Sequence, residues 1–302
     1  MALSICNTVA DERGHEMIMH GTSPFPIGCY HDNLIADPVP WHWHEELEAV
    51  VVDQGECIFS VGSERYPLRK GDGIFINASV LHSAVETGSD GCHLHSICFH
   101  PRLIGGSPDS IFWHHYLSPM LSDVSFYCFY LDQSVGWQKE AIDAIENAWH
   151  ACAQEPPGYE FLVRNYLSGL IWLSASHRPL MKTRPSEKAL RDGERIKTML
   201  QYIQEHYSEE INTRQIAGSA MISSSECLRC FRSTIGTTPI QYVKQYRIQQ
   251  ASLLLATTNQ KIVDIGTQCG FQEMSYFAKT FRELIGCTPS EYRKEKQADE
   301  KH

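Results

Sequence analysis

Four residues in the first third of the chain have side chains able to hold a small ligand by direct donor atoms. His42 and His44 are one residue apart, Glu48 follows after three more, and Gly55 after a further six. His82 comes after a turn at Gly71-Asp72-Gly73. Imidazole and carboxylate together suit iron, manganese, zinc or nickel. His93 and His95 share one face of an alternating segment from Cys92 to Phe99, with Leu94, Ser96 and Cys98 on the other. They either line the same space as the first four or face solvent from a strand edge. Trp43 points away from His42 and His44 on an extended chain, which makes it a packing residue.

The elements that would position these groups are short strands. Ala49–Val52 ends at Asp53-Gln54-Gly55, Cys57–Val61 at Gly62-Ser63, and Ile74–Ile76 follows Gly73. Strand signals this close together predict an antiparallel barrel or sandwich. From Val135 the period becomes helical. Ile142, Ile145, Ala148, Trp149 and Cys152 mark one helix, and Phe161, Tyr166, Leu167, Leu170, Ile171 and Leu173 a second, with Pro156-Pro157-Gly158 between. Such a pair covers a sheet or makes a dimer seam. Residues 178–192 are polar, contain Pro179 and Pro185, and read as a linker.

Beyond the linker a pattern occurs twice. The first copy has Ile216-Ala217, Ile222, Phe231-Arg232, Gly236, Thr238-Pro239 and Tyr242; the second has Ile265-Gly266, Phe271, Phe281-Arg282, Gly286, Thr288-Pro289 and Tyr292. From Phe231 onward the two match at a constant offset of 50. Each copy has a small residue where two helices cross (Ala217, Gly266), a turn, and i, i+4 anchors (Cys227/Phe231, Phe277/Phe281). That is the requirement of a helix-turn-helix, whose second helix enters a major groove. Each Thr-Pro places a capping hydroxyl before a proline at the first helical position. The helix predicted from Pro239 to about Thr257 is roughly 28 Å long. Cys227-Leu228-Arg229-Cys230 has no second CxxC to complete a zinc site, and both thiols fall where the pattern wants apolar anchors.

The segment from Glu194 to about Lys294 resembles the DNA-binding domain of the AraC/XylS family of transcription regulators. The resemblance implies two recognition helices set in successive major grooves by the joining helix. It implies base contacts from Ser225, Leu228 and Arg229 in the first unit and from Met274, Ser275 and Lys279 in the second. Arg229 would pair with guanine and Met274 would touch a thymine methyl. Arg232, Gln272 and Arg282 would meet phosphate. The His42/His44/Glu48 segment resembles the first cupin motif and the region up to His82 the second, although Asn77 and Ser79 stand where proline and glycine are usual. In metal cupins these four positions converge inside the barrel. In regulators of this family the barrel instead holds a small effector, often a sugar, oriented by polar groups such as these. Three readings therefore stand: an organic effector bound by His42, His44, Glu48, His82, His93 and His95; a divalent metal on the first four, with no other cofactor; or a filled barrel without a ligand.

The expected architecture is multidomain. A cupin-like antiparallel β-barrel spans 1–133, flanking helices for dimerisation or capping 134–177, the linker 178–192, an all-α domain with two helix-turn-helix units 193–296, and a tail 297–302. The charge is divided accordingly: residues 187–302 hold 16 Lys and Arg against 14 Asp and Glu, while the whole chain carries −10. That balance disfavours a protein that coats nucleic acid without sequence choice. Eleven scattered cysteines without a leader-like apolar stretch point to a reducing cytoplasm. No stretch is apolar enough for a membrane helix. The partners expected are double-stranded DNA, a small effector, a second copy of the chain and, for an activator, RNA polymerase. The competing class is a metal-dependent cupin enzyme fused to a DNA-binding tail.

Overall fold

A computed structural model of the chain describes residues 3–4, 20–35, 39–88, 91–123, 126–177 and 187–299. It divides into two compact units, parting between Gly193 and Glu194.

The N-terminal unit is built on ten strands among the described residues: β1 (Leu3–Ser4), β2 (Ile27–Asn33), β3 (Val39–His42), β4 (Leu47–Gln54), β5 (Glu56–Val61), β6 (Glu64–Arg69), β7 (Gly73–Ile76), β8 (His82–Glu86), β9 (His93–Phe99) and β10 (Cys128–Leu131). Six form one sheet in the order β1-β2-β9-β4-β7-β10, and four a second in the order β3-β8-β5-β6. Pairing is antiparallel except between β1 and β2. The central strands β4, β7 and β9 are buried on both faces, because the six-stranded sheet separates two cores. On the inner side Val50, Val52, Ile74, Ile76 and Leu94 meet Cys57, Phe59, Val61 and Ala84 of the four-stranded sheet. On the outer side Ala49, Val51, Phe75, Ile97 and Phe99 pack with apolar residues of two helices. Burial on both faces explains the near-continuous apolar run Ala49–Val52.

Those helices are α3 (Gly136–Gln154) and α4 (Tyr159–His177), as the periodicity predicts. Before β10 come two short helices not foreseen, α1 (Arg102–Gly105) and α2 (Ser118–Leu121), with a π-helical turn at Trp113–Leu117 between them.

The C-terminal unit is helical. It comprises α5 (Glu187–His206), α6 (Thr213–Ser219), α7 (Ser224–Cys230), α8 (Pro239–Thr257), α9 (Ile262–Gln268), α10 (Met274–Ile285) and α11 (Pro289–Asp299). A π-helical turn, Phe231–Ile235, continues α7. Asn212 caps α6 through a reciprocal box with Gln215. Thr238 accepts from the Gln241 amide ahead of Pro239, and Thr288 does the same for Glu291. Two boundaries differ from expectation. The stretch read as linker reaches only to its helical end: 178–186 lie outside the described residues, and 187–192 already belong to α5. Likewise α11 runs through part of the segment read as tail, leaving 300–302 outside the described residues.

Candidate metal centre and nucleic-acid interface

At one end of the barrel β3 and β8 pair so that His42 stands opposite His82. Glu48 faces the same interior from β4, opposite Cys98 of β9. His44 sits in the connection between β3 and β4. All four are buried, with at most 8% of any residue exposed. The rings of His42 and His82 lie 4.2 Å apart by their centroids, His44 and His82 5.2 Å, and His42 and His44 5.6 Å. One donor atom from each of the four lies within 4.8 Å of the others.

The tautomers follow from the backbone. Nδ1 of His42 is 2.9 Å from the Pro40 carbonyl, Nδ1 of His44 is 3.1 Å from that of Glu46, and Nδ1 of His82 is 2.8 Å from that of Val80. A carbonyl only accepts, so each Nδ1 carries a proton, which leaves Nε2 as the atom of each ring that a shared ligand can reach. Nε2 of His82 is 2.7 Å from Glu48 Oε2, and Nε2 of His44 is 3.5 Å from it. Yet neither Glu48 Oε2 nor His82 Nε2 has a hydrogen bond of sound geometry. Burial by itself would raise the Glu48 carboxyl; the imidazoles of His82 and His44 override it and hold the group well below its usual range. A buried carboxylate needs a cation beside it, supplied either by a protonated imidazole or by a bound metal ion. The donor set, its spacing and the backbone bonds on the far nitrogens fit a divalent transition metal.

Beside this group lie three residues that the sequence does not single out. Cys98 Sγ is 3.9 Å from His44 Nε2. The His20 ring is 5.3 Å from that of His44, and its Nδ1 is 2.7 Å from the Tyr30 hydroxyl. The alternation of β9, which separates Cys98 from His93 and His95, is the signal that would have found Cys98. The structure does not bring His93 and His95 to the four. They lie on the outer side of β9, where the His95 ring stacks on Trp149 of α3 at 3.6 Å. Alternation fixes that two residues share a face, but both faces of β9 are buried, so it does not say which one is the cavity.

In the C-terminal unit both helix-turn-helix turns are tight. Gly270 has φ +81°, and a Cβ there would lie 2.6 Å from the Tyr207 carbonyl oxygen at the end of α5. Arg247 of α8 donates to the Tyr207 and Glu209 carbonyls at 2.6 Å each, fastening the same junction. On α10, Ser275, Lys279 and Arg282 are exposed at successive turns, with Gln272 exposed just before the helix. Met274 is placed differently from expectation. It is half-buried and packs on Gly266, filling the space where α9 and α10 cross. In the first unit Ser225 and Arg232 are exposed with half-buried Leu228 between them. Arg229 is engaged with its own helix: Nε and Nη2 donate to the two Glu226 carboxylate oxygens at 3.0 and 2.8 Å. Glu226 in turn is 3.4 Å from Arg195 of α5. The guanine contact that the resemblance implies would require Arg229 to leave this fork. Missed by sequence reasoning is Tyr276, half exposed beneath the Lys244 ammonium, 5.4 Å from its ring centre.

A barrel enclosing a polar site and a helical unit with paired helix-turn-helix motifs define a ligand-binding transcription regulator that recognises DNA. Residues 25–134 match the AraC-like ligand binding domain, and residues 216–295 a helix-turn-helix domain. The chain belongs to the AraC family. It is 28% identical over 291 residues to the uncharacterized HTH-type transcriptional regulator YdeC of Bacillus subtilis, covering 95% of this chain and 98% of that protein. It is 23% identical over 286 residues to the HTH-type transcriptional activator RhaS of Klebsiella pneumoniae, covering 93% and 98%. Among solved structures, an AraC-type transcriptional regulator from Chromobacterium violaceum is 29% identical over 34% of this chain and 92% of that one, with a TM-score of 0.33. No helix among the described residues is long and apolar enough to cross a membrane.

Proposed function

We propose that the ligand held by the barrel is a divalent transition-metal ion, coordinated by Nε2 of His42, His44 and His82 and by the Glu48 carboxylate. The observation that carries this reading is the set of three Nδ1 atoms bonded to backbone carbonyls, with Glu48 Oε2 and His82 Nε2 left unsatisfied between them. An ion fits among donors already this close; a sugar would have to part rings that lie 4.2 to 5.6 Å from one another. The ion is a signal or a bridge to one, since the relatives are regulators. The enzyme alternative draws no support from them.

The rest of the reading is a cytoplasmic homodimer. The outward side of α4 supports it, with Phe161 78% and Trp172 55% exposed. On DNA, Ser225 and Leu228 of the first unit and Ser275 and Lys279 of the second face bases, while Arg232, Gln272 and Arg282 meet phosphates. Arg229 joins the base contacts once released from Glu226. An activating member would also meet RNA polymerase.

The test is metal analysis of the full chain after dialysis against zinc, iron, manganese and nickel ions in turn. The expected result is one tightly held equivalent of one of them that His42→Ala and His82→Ala each remove. Equal metal content in wild type and both variants rejects the site. A melting point raised by a sugar, and unmoved by EDTA, assigns the barrel to an organic effector instead.

A further inference from the structure

We propose that His31, Asp53 and His95, on the outer face of the six-stranded sheet, form a second site for a divalent transition-metal ion, with Glu146 of α3 orienting His95. The three come from adjacent strands. His31 of β2 stands directly opposite His95 of β9. On the other side of β9 the register of β4 slips between Val52 and Gln54, so Asp53 is the extra residue of a bulge. Bulges re-aim side chains, and this one brings Asp53 toward the two imidazoles. One donor atom from each of the three lies within 4.8 Å of the others.

The second feature is the support behind His95. Its Nδ1 is 2.9 Å from Glu146 Oε2, and its ring is stacked on the Trp149 indole with planes 13° apart. A carboxylate on Nδ1 fixes the tautomer that leaves Nε2 basic, as it does for histidines that bind metals. His95 is 8% exposed, so its orientation is set before any ion arrives. His31 is exposed on the sheet surface and gives the ion a way in. The His93 ring, 5.3 Å from His31, stands within reach as a replacement for water. Two imidazoles and one carboxylate suit zinc, nickel or copper, the remaining positions being filled by water. An ion there joins three strands to α3, and hence to the α3–α4 pair whose outer side carries Phe161 and Trp172.

This site is distinct from the one inside the barrel, and the measurement separates them. Zinc stoichiometry of the full chain is determined by equilibrium dialysis for wild type, His42→Ala/His82→Ala and His31→Ala/Asp53→Ala. The outer pair keeps His95 and Trp149, losing only the edge contact of the exposed His31 ring with them, so unfolding is not expected; circular dichroism checks it. The outer variant loses one zinc equivalent, and the barrel variant keeps that equivalent whether or not the inner site binds. Glu146→Gln weakens the outer equivalent roughly 10- to 100-fold, the usual effect of losing a partner behind a ligand. Copper(II), bound beside the indole, quenches Trp149 emission in wild type and in the barrel variant but not in the outer variant. Trp149→Phe identifies that share of the signal. Unchanged zinc stoichiometry and unchanged quenching in His31→Ala/Asp53→Ala overturn the proposal.

Discussion

Three imidazoles turned by backbone carbonyls onto one carboxylate are the chemical centre of this molecule. Their positions were legible because the spacing His42-x-His44-x-x-x-Glu48 is local and the partner His82 lies across a strand pair. His93 and His95 show the limit of the same reasoning, since a period of two cannot say which buried face is a cavity. Met274 shows another. The glycine at 266 creates a gap that the nearest flexible side chain fills, so a residue expected at DNA becomes a core residue. The family resemblance implies a base contact from Arg229, but its fork on Glu226 depends on a side-chain choice three residues away. Glu226→Gln removes that competitor and a negative charge near the DNA. Binding of a selected site is expected to tighten severalfold, measured by fluorescence anisotropy; weaker binding would mean that the fork positions Arg229 rather than withholding it. Arg232→Ala and Arg282→Ala are each expected to weaken binding across sequences and to reduce the salt slope by about 1. A loss confined to one base position would move either residue to the base contacts. Cys227 of the CxxC and Cys269 at the end of α9 are both buried, and burial pushes the first up to about 11 and the second to about 12. Alkylation needs the thiolate. Mass spectrometry of the native chain at pH 8 should find both unmodified by iodoacetamide and both modified after denaturation.

At the scale of elements, capping and period explain most of what was foreseen. The helix expected from Pro239 to about Thr257 is α8 to the residue, because Thr238-Pro239 starts it unambiguously. α5 begins earlier than its apolar stripe, since Glu187 to Gly193 carry little that a core would demand but nothing that stops a helix. The short elements between β9 and β10 carry no periodic signal at all, being one turn each. The turn at Gly270 is where a single atom matters most. Gly270→Ala combines a positive φ with a Cβ pressed on the Tyr207 carbonyl, a strain of roughly 1–3 kcal/mol. The melting point of the C-terminal unit should fall by several degrees or more; an unchanged one would mean that the α5 junction yields. On α4, Phe161→Glu with Trp172→Glu is expected to convert a dimer to a monomer in analytical ultracentrifugation while the barrel stays folded. A dimer that persists would place the seam elsewhere.

For the whole molecule, the division of charge follows the division of labour. Residues 1–186 carry −12, more than the −10 of the whole chain, a field that disfavours their contact with DNA, while residues 187–302 carry +2 with cations on exposed helix faces. A ligand in the barrel controls DNA binding only if its affinity differs between the DNA-bound and free states, and the effect must then be mutual. The direct measurement is the affinity of the full chain for a DNA site selected from random sequence. It is made in metal-buffered and in chelated solution, for wild type and for His42→Ala/His82→Ala. Affinity is expected to differ between the two solutions for wild type, to lose that difference in the variant, and to be matched by an equal change in metal affinity when DNA is present. The same affinity in both solutions for wild type would contradict a regulatory ion at His42, His44, Glu48 and His82.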